Sequence, residues 1–400
     1  DKVVYNGLLL VCARDKNGRL RDGFAILDDM VAAGLEPDAY TFATLLDLVS
    51  RRGADPNDAA AVLDKMLQHK VAFTTTILNA NLKILVKSAE NGAVGAEEAK
   101  ALVARMKEES KVSSDLITFS THMEILAAAV KFGKATREDA YKVINSCRSS
   151  NLLPTDSMYA SWIQVVSHEA FNGNATAREG LDALNAIRHW ARGKSVNPKL
   201  YNLALACVAK AASHRKGSLH DGQEILEAMT YDGIGMTAVS LSSFIQIAKA
   251  DHNRTAADEA HIVYTEAAQS IKTQRVVTMM ISCLSRAGQR KLARQTLEDA
   301  IDSGLTPNRF MFNAAMGACS KGEQVLDMHS RMQIAGIEGD VVTEKYLRLA
   351  AKGKLPSSGV IASNMPLASK LFRSAAPKTR DEAEKSRGGP QSPGESTGRK

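Results

Sequence analysis

The sequence is poor in several residue types that define whole classes of protein. Only 5% of its 400 residues are aromatic, and the five cysteines are scattered, with no Cys-x-x-Cys pair. Such cysteines predict neither a zinc site nor a disulfide framework, and they suit small core positions. No run of 18 apolar residues occurs, so no transmembrane helix is predicted. The first 40 residues have a helical pattern and show no targeting peptide.

The sequence also lacks the motifs of the common enzyme classes. It contains no P-loop, no GxGxxG after a strand, no GxSxG and no HExxH. The pair His168-Glu169 is not followed by the cysteine pair of a zinc deaminase. We therefore expect no enzyme, with no catalytic residues, no metal site and no cofactor. A nuclease or deaminase domain on a longer version of the chain stays open as an alternative.

Positive charge is concentrated at the carboxyl end of the chain. Of the net charge of +7, residues 351–400 carry +6, which leaves +1 for residues 1–350. The same 50 residues are rich in Ser, Pro, Gly and Lys/Arg. This composition predicts a disordered basic tail. Any anion binding by residues 1–350 must come from local clustering of charge on one face.

A repeat runs through residues 1–350. The first unit opens with Asp1-Lys-Val-Val-Tyr5-Asn6 and ends with Gly34-Leu-Glu-Pro37, and Asp38 opens the next unit. The ending recurs at Gly304-Leu-Thr-Pro307-Asn308. About nine units of 32 to 42 residues are predicted, with a partial tenth. Their starts lie near Asp1, Asp38, Thr74, Asp115, Thr155, Asn197, Thr237, Arg275 and Asn308, and the partial unit starts near Asp340.

The apolar pattern inside each unit predicts a pair of helices. Apolar residues follow helical spacing twice in the second unit, first around Leu45–Val49 and then around Val62–Leu67. One helical hairpin cannot bury its apolar face alone, whereas stacked hairpins share a continuous core. The predicted fold is therefore all-α, an αα-hairpin repeat solenoid.

These units resemble the pentatricopeptide repeat family. The resemblance rests on the openings Tyr5-Asn6, Tyr201-Asn202 and Phe312-Asn313 and on the Met-x-x-x-Gly-(Leu/Ile)-x-Pro-(Asp/Asn) ending. The tetratricopeptide repeat, the nearest alternative, expects Trp and Leu-Gly in the first helix of each unit. The two tryptophans do not recur in that way. The resemblance covers residues 1–350, implies a right-handed superhelix, and is weakest in the fourth to seventh units.

The resemblance implies that each unit binds one base of single-stranded RNA. The contacts are expected from the sixth residue of a unit and the first residue of the next unit. The pairs able to form hydrogen bonds are Asn6 with Asp38, Asn79 with Asp115, Ser120 with Thr155, Asn202 with Thr237, and Asn313 with Asp340. The Asn–Asp pairs of the first, third and ninth units imply a pyrimidine, preferably uracil. The pairs that depart from the pattern are Ala43 with Thr74, Ala160 with Asn197, Ser242 with Arg275, and Met280 with Asn308.

The third residue of each unit is expected to support the base by apolar contact or stacking. The strongest candidates are Val3, Tyr40, Ile117 and Phe310. Asn and Asp near a helix start are also common capping residues. Their recurrence at the same places in three units favours the base-binding role.

Two functions from different classes follow from these observations. The resemblance implies a protein that binds single-stranded RNA in the processing, stability or translation of transcripts in a mitochondrion or plastid, with no membrane contact. The near-neutral charge of residues 1–350 and the four departing pairs favour a protein–protein scaffold, such as a component associated with an organellar ribosome. A row of Lys/Arg on the concave face would favour RNA, and an apolar or acidic concave face would favour protein partners.

Overall fold

The computed structural model describes residues 1–191, 195–251 and 253–355, so residues 356–400 of the tail predicted over 351–400 lie outside the described residues. The described residues form nineteen α-helices and no β-strand. The first helices of the successive hairpins are α1 Lys2–Arg14, α3 Ala39–Arg51, α5 Thr75–Glu90, α7 Leu116–Ala129, α9 Asp156–Phe171, α11 Pro198–Ser213, α13 Ala238–Asp251, α15 Gln274–Arg286 and α17 Arg309–Gly317. The second helices are α2 Leu20–Ala32, α4 Pro56–Gln68, α6 Ala96–Ser110, α8 Arg137–Ser149, α10 Ala177–Trp190, α12 Leu219–Tyr231, α14 Arg254–Glu266, α16 Arg290–Asp302 and α18 Gly322–Ile334. A last helix, α19 Val341–Ala351, covers the end of the stack.

Each first helix begins after a capping residue. The side chain accepts a hydrogen bond from a backbone N–H of the first turn, as Asp38 does from Thr41 at 3.1 Å. These bonds satisfy amides that have no partner within the helix. The capping residues with such a bond are Asp1, Asp38, Thr74, Asp115, Thr155, Asn197, Thr237, Thr273, Asn308 and Asp340.

Glycine in the left-handed conformation ends several second helices. Gly34 has a φ of +73°, and the N–H of Leu35 then donates to the carbonyl of Met30 at 3.1 Å. Gly304 has a φ of +87°, with the same bond from Leu305 to Ala300 at 3.0 Å. A residue with a Cβ adopts this conformation only at a cost, which explains the recurring glycine in the unit endings.

The helices form two layers with different spacing. Successive first helices pack directly against one another from α1 to α17. The second helices are further apart and are bridged by long side chains, as in Lys65–Asp28 and Arg105–Asp64, both at 2.9 Å. A closely packed layer beside a more open one makes a stack curve, so the first helices form the inner layer. One hydrophobic core runs through the stack from Leu9 to Tyr346.

The eighth unit begins two residues earlier than the sequence predicts. Its first helix, α15, is capped by Thr273, and the predicted start, Arg275, lies inside the helix. The sixth residue of the unit is therefore Thr278, while Met280 is 0% exposed and belongs to the core. The reason lies in the preceding connection, which contains a short 3₁₀-helix over Gln269–Ile271 in place of the Gly-x-x-Pro ending.

All five cysteines are free, and Cys147, Cys207, Cys283 and Cys319 are buried. Burial raises the pKa of Cys207 and of Cys283 to about 12, so these thiols stay protonated and unreactive in the core. Among the described residues, no group of three His, Cys, Asp or Glu side chains is placed to hold a metal ion. None of the described helices combines the length and apolar character needed to cross a bilayer.

Candidate nucleic-acid interface

The inner face of each first helix presents the same positions of every unit. Counting the capping residue as residue 1, the third, sixth, tenth and fourteenth residues are separated by three or four positions. They therefore lie on one side of the helix. In α3 these are Tyr40, Ala43, Asp47 and Arg51, and the residues between them, from Thr41 to Val49, are mainly buried. We call the sixth residue of a unit, together with the first residue of the next unit, a base slot.

Three base slots contain Asn and Asp in a shared hydrogen-bond network. In the third slot the amide nitrogen of Asn79 donates to the two carboxylate oxygens of Asp115 at 3.1 and 3.2 Å. In the ninth slot Asn313 donates to Asp340 at 3.0 Å. In the first slot the amide oxygen of Asn6 accepts a hydrogen bond from the hydroxyl of Thr41. The ammonium of Lys2 donates to the carboxylate of Asp38 at 3.3 Å. Each Asp therefore has two roles, because it caps a helix and belongs to a slot.

The three aspartates of these slots are held in the charged form. Burial by itself raises the pKa of each carboxyl, but hydrogen bonds from the backbone and side chain of the residue three places on outweigh it. Asn79 and Asn313 add further bonds to Asp115 and Asp340. The net result is a lowered pKa for all three. At neutral pH each carboxylate is an acceptor only.

The remaining slots differ in chemistry. In the sixth slot the hydroxyl of Thr237 donates to the amide oxygen of Asn202 at 3.3 Å. The hydroxyl of Ser242 bonds back to the carbonyl of Ala238 at 2.7 Å, which leaves it little capacity to bind a base. Ser120 and Thr155 lie half-buried at the fourth slot, whereas Ala43 and Ala160 contribute no polar group to the second and fifth slots. With the corrected start of the eighth unit, the seventh slot is Ser242 with Thr273 and the eighth is Thr278 with Asn308.

Large apolar side chains stand exposed at the third position beside the slots. Val3 is 75% exposed, Tyr40 57% and Phe310 65%, and Ile117 and Val239 are also exposed. Exposed aromatic and branched side chains at regular intervals provide surfaces on which flat rings stack. Between α3, α5 and the start of α7 lies a cavity of about 390 Å³. Its lining includes Thr76, Asn79, Asp115 and Ile117, so it opens directly onto the third slot.

A row of basic side chains follows the same face, two to three helical turns beyond the slots. The fourteenth residue is basic in seven of the nine units, although Lys321 of the ninth unit follows the end of α17, and a basic residue lies close to that position in the other two. We call eight of these residues, all except Lys321, the basic row, and they are Arg14, Arg51, Lys87, Lys131, His168, Lys210, Lys249 and Arg286. Sequence reasoning missed this row, although alignment of the units on their fourteenth residue would have found it.

Most of the basic row has no acidic partner. Among the described residues, Arg51 has an ion pair, with Asp47 at 2.8 Å, and no ion pair is formed by the other members. Comparable cations on second helices are paired, as in Arg188 with Asp232 at 2.8 Å and Arg331 with Glu298 at 3.1 Å. The helix dipole favours cations in a last turn on either layer, so it does not explain why the cations of the basic row, apart from Arg51, form no ion pair among the described residues.

Neighbouring members of the basic row affect one another's charge. Burial, assisted by the positive charges of Lys210 and Lys131, lowers the pKa of His168. Burial and the charge of Arg286 lower the pKa of Lys249. Burial also lowers the pKa of Lys210, whose ammonium donates to the hydroxyl of Ser167 at 2.9 Å. Lys210 and Lys249 are cations with lowered pKa values that a nearby anion would stabilise, whereas His168 is mainly neutral at pH 7.

The comparison with protein families decides what kind of unit this is. Residues 25–88 and 276–322 match the pentatricopeptide repeat domain. These two segments of the chain are similar to pentatricopeptide repeats. Solved structures agree on the fold. The pentatricopeptide repeat protein PPR10 from maize superposes with a TM-score of 0.65 at 20% identity, over 93% of this chain and 49% of that chain.

Two further solved structures match less closely. PPR10 in complex with an 18-nt psaJ RNA element has a TM-score of 0.48 at 15% identity, over 88% of this chain and 52% of that one. Yeast Rmd9p in complex with a 16-nt target RNA has a TM-score of 0.39 at 13% identity, over 88% of this chain and 76% of that one. The chain thus spans about half the length of the two PPR10 chains. No protein among the curated sequences matches it significantly.

The pentatricopeptide fold is confirmed, and the structure brings most predicted site residues to one face. Asn79 with Asp115, Asn202 with Thr237 and Asn313 with Asp340 are in direct contact. Asn6 and Asp38 are linked through Thr41, which bonds to both. Their role in binding bases stays a prediction.

Proposed function

We propose that the chain binds single-stranded RNA along the inner face of its first helices. Bases enter the slots, the exposed third residues pack against them, and the phosphates lie along the basic row. One unit accommodates one base, and the RNA runs from its 5′ end at the first unit towards the ninth.

The observation that carries the proposal is the alignment of the slots and the basic row on one face. The sixth and fourteenth residues of a helix are separated by about 12 Å along the axis, because each residue adds about 1.5 Å. A single RNA strand has its bases on one side and its phosphates on the other, so a surface that binds it needs a row of base slots parallel to a row of cations. The row favours an RNA surface over a protein scaffold, because seven of its eight members are Lys or Arg and, among the described residues, Arg51 alone of them forms an ion pair.

The slots divide by the bases that they favour. An ionised Asp beside Asn supplies an acceptor and a donor, and a base with a ring N–H satisfies that acceptor. We propose pyrimidines, preferably uracil, opposite the first, third and ninth units. The second and fifth slots, with Ala43 and Ala160, contribute shape rather than hydrogen bonds. The proposal assigns no catalytic step to this chain.

We further propose that the RNA is an organellar transcript whose processing, stability or translation depends on this binding. The support for a mitochondrial or plastid setting is the family resemblance. Coverage of a defined segment by a solenoid protects that segment from nucleases and from base pairing, which links binding to these roles.

One observation favours the alternative function of a protein scaffold. A groove of about 520 Å³ lies between α8 and α10, lined by Tyr141, Trp162, Val166 and Ala183. Trp162 and Val166 belong to the first helix α9, but as the eighth and twelfth residues of their unit they lie on the side of α9 away from the third, sixth, tenth and fourteenth positions, so the groove is separate from the inner face. A protein that binds RNA on one side is free to contact a protein on the other.

Fluorescence anisotropy with the full chain tests the proposed function. Labelled single-stranded RNA should bind more tightly than duplex RNA of the same length, and the affinity should fall as salt rises. Replacing Asn6 and Asn79 with Ala should weaken binding to a uracil-containing RNA while preserving the salt dependence. Equal affinity for single strand and duplex would reject the proposal and favour the scaffold.

A further inference from the structure

A buried threonine completes each of the three Asn–Asp slots. It is the fourth residue of the following unit, three places after the slot aspartate. Its hydroxyl lies 2.7 to 2.9 Å from the amide oxygen of the slot asparagine. The contacts are Thr41 to Asn6, Thr118 to Asn79, and Thr343 to Asn313. Residues 30 to 39 positions apart form this bond in all three slots.

The amide of the asparagine is thereby held at both ends in two of these slots. In the third slot the oxygen of Asn79 accepts from Thr118, while its nitrogen donates to Asp115. Turning the amide over would place its oxygen against the carboxylate, which is electrostatically unfavourable. Asn313 is held in the same way between Thr343 and Asp340. The order of donor and acceptor in the slot is therefore fixed.

These threonines are too deeply buried to touch a bound RNA. Thr41 is 0% exposed, and Thr118 and Thr343 are 1% exposed. Each hydroxyl also contacts the aspartate, as Thr118 does with Asp115 at 2.9 Å. Any influence of the threonine on a base must pass through the two side chains that it holds.

We propose that these three buried threonines are positioning residues that set base preference in their slots. The inference rests on the proposed function, because it presumes that the slots bind bases. With the amide oxygen occupied, the slot offers the second N–H of Asn beside the carboxylate of Asp. Of the two pyrimidines, uracil matches that pair, because it has a ring N–H next to a carbonyl. Cytosine places a ring acceptor against the carboxylate and is disfavoured.

The sixth slot provides an internal comparison. Here Thr237 takes the place of the aspartate, and its hydroxyl donates to the amide oxygen of Asn202. The fourth residue of the following unit is Ser240, which bonds with Thr237 and not with Asn202. Both N–H groups of Asn202 remain for a ligand, and no carboxylate is present. This slot should lack the preference for uracil over cytosine.

The test compares binding of four RNAs that differ only in the base opposite the third unit. The full chain should bind the uracil RNA about tenfold more tightly than the cytosine RNA. Thr118→Val removes the hydroxyl at nearly constant volume and should reduce this ratio to about one, with little change for the cytosine RNA. Thr118→Ser keeps the hydroxyl and should preserve the ratio. Thr121→Val, buried one turn along the same helix, is the matched control.

Each outcome bears on a different claim. An unchanged ratio in Thr118→Val overturns the positioning role and leaves RNA binding intact. A native chain that binds all four RNAs equally overturns base recognition at this slot and the inference with it. Thermal melting shows whether the variants are folded. If Thr118→Val unfolds, Thr41→Val in the first slot gives the same test, with Thr44→Val as its control, because Thr44 bonds only to the carbonyl of Tyr40.

Discussion

The end units and the middle units build the same inner face from different chemistry. The first, third and ninth slots contain Asn, Asp and a buried threonine. The fifth to eighth units lack that set and instead contain the more buried cations of the basic row, including Lys210 and Lys249. The difference teaches that sequence preference and overall affinity arise in different parts of one solenoid.

The middle units are connected by stacked aromatic rings as well as by ion pairs of the kind that the end units also contain. The guanidinium of Arg188 is paired with Asp232 at 2.8 Å, and the hydroxyl of Tyr201 donates to the same carboxylate. Trp162 and Trp190 stack with their ring centroids 5.9 Å apart. The first helices α5, α9 and α11 have 16 residues each, whereas α17 at the end of the array has nine. Firmly connected middle units can keep partly buried cations in place even when no bound anion balances their charge.

The largest expected effect comes from neutralising the basic row in the middle. Replacing Lys210, Lys249 and Arg286 with Gln should weaken single-stranded RNA binding by about 100-fold at moderate salt. The slope of log affinity against log salt should fall by about 2. The free protein should melt no lower than the native chain, because two partly buried charges are removed. Titrations at several salt concentrations and a melting curve give both results.

The matched control neutralises three cations of the outer layer, Lys100, Lys142 and Lys291. These residues are exposed on second helices. The control variant should keep nearly all of its affinity and its salt dependence. Equal losses in the two triple variants would mean that net charge, and not the basic row, attracts the RNA.

The second largest expected effect is that low pH destabilises the middle units before the end units. Burial lowers the pKa of His122 to about 4 and also lowers that of His168 and His261, all in the fourth to seventh units. A lowered histidine pKa means that the unfolded chain takes up protons first. Stability is therefore lost as pH falls from about 6.5 towards 4, by up to about 3 kcal/mol for His122.

The slot aspartates lose their contribution in the same direction of pH change but at lower pH. Their lowered pKa values mean that their contribution to stability is present above the unfolded value near 3.9 and is lost only at lower pH. Hydrogen exchange at pH 5 should therefore show weakened protection in α7 to α14 before α1 to α5. His122→Gln should reduce the effect. Earlier loss of protection at the first units would contradict this account.

A smaller effect is expected at the exposed aromatic of the ninth unit. Phe310→Ala removes a stacking surface and should weaken binding about tenfold for every base opposite that unit. Because Phe310 is 65% exposed, the change should leave the melting temperature almost unaltered. Anisotropy with four RNAs varied at the ninth position checks this. A loss confined to one base would show that Phe310 contributes to base choice.

The smallest effects separate a functional slot from a degenerate one. Asn79→Ala should abolish an approximately tenfold preference for uracil over cytosine at the third unit. Ser242→Ala should change neither affinity nor preference by more than about twofold, because its hydroxyl is already bonded to the carbonyls of Ala238 and Val239. Competition binding measures both, and a large effect of Ser242→Ala would show that the middle slots also recognise bases.

Much of this arrangement was predictable from the sequence because its signals are local. Helical spacing of apolar residues, capping residues such as Asp38 and the glycine endings all act within a few positions. The start of the eighth unit was misplaced at Arg275, because the Gly-x-x-Pro signal is absent there. The hydrogen bond between Thr118 and Asn79 joins residues 39 positions apart, and no local sequence pattern predicts it. The lack of carboxylates around Lys210 depends likewise on packing.

Selection from a random single-stranded RNA pool by the full chain, at a salt concentration that suppresses non-specific phosphate contacts, tests the central claim most directly. The account predicts an enriched sequence with two pyrimidines, mainly uracil, separated by one variable base near its 5′ end. A third should follow six positions after the second, opposite the ninth unit. Binding without any enriched sequence, or a motif centred on the middle units, would contradict the division between ends and middle.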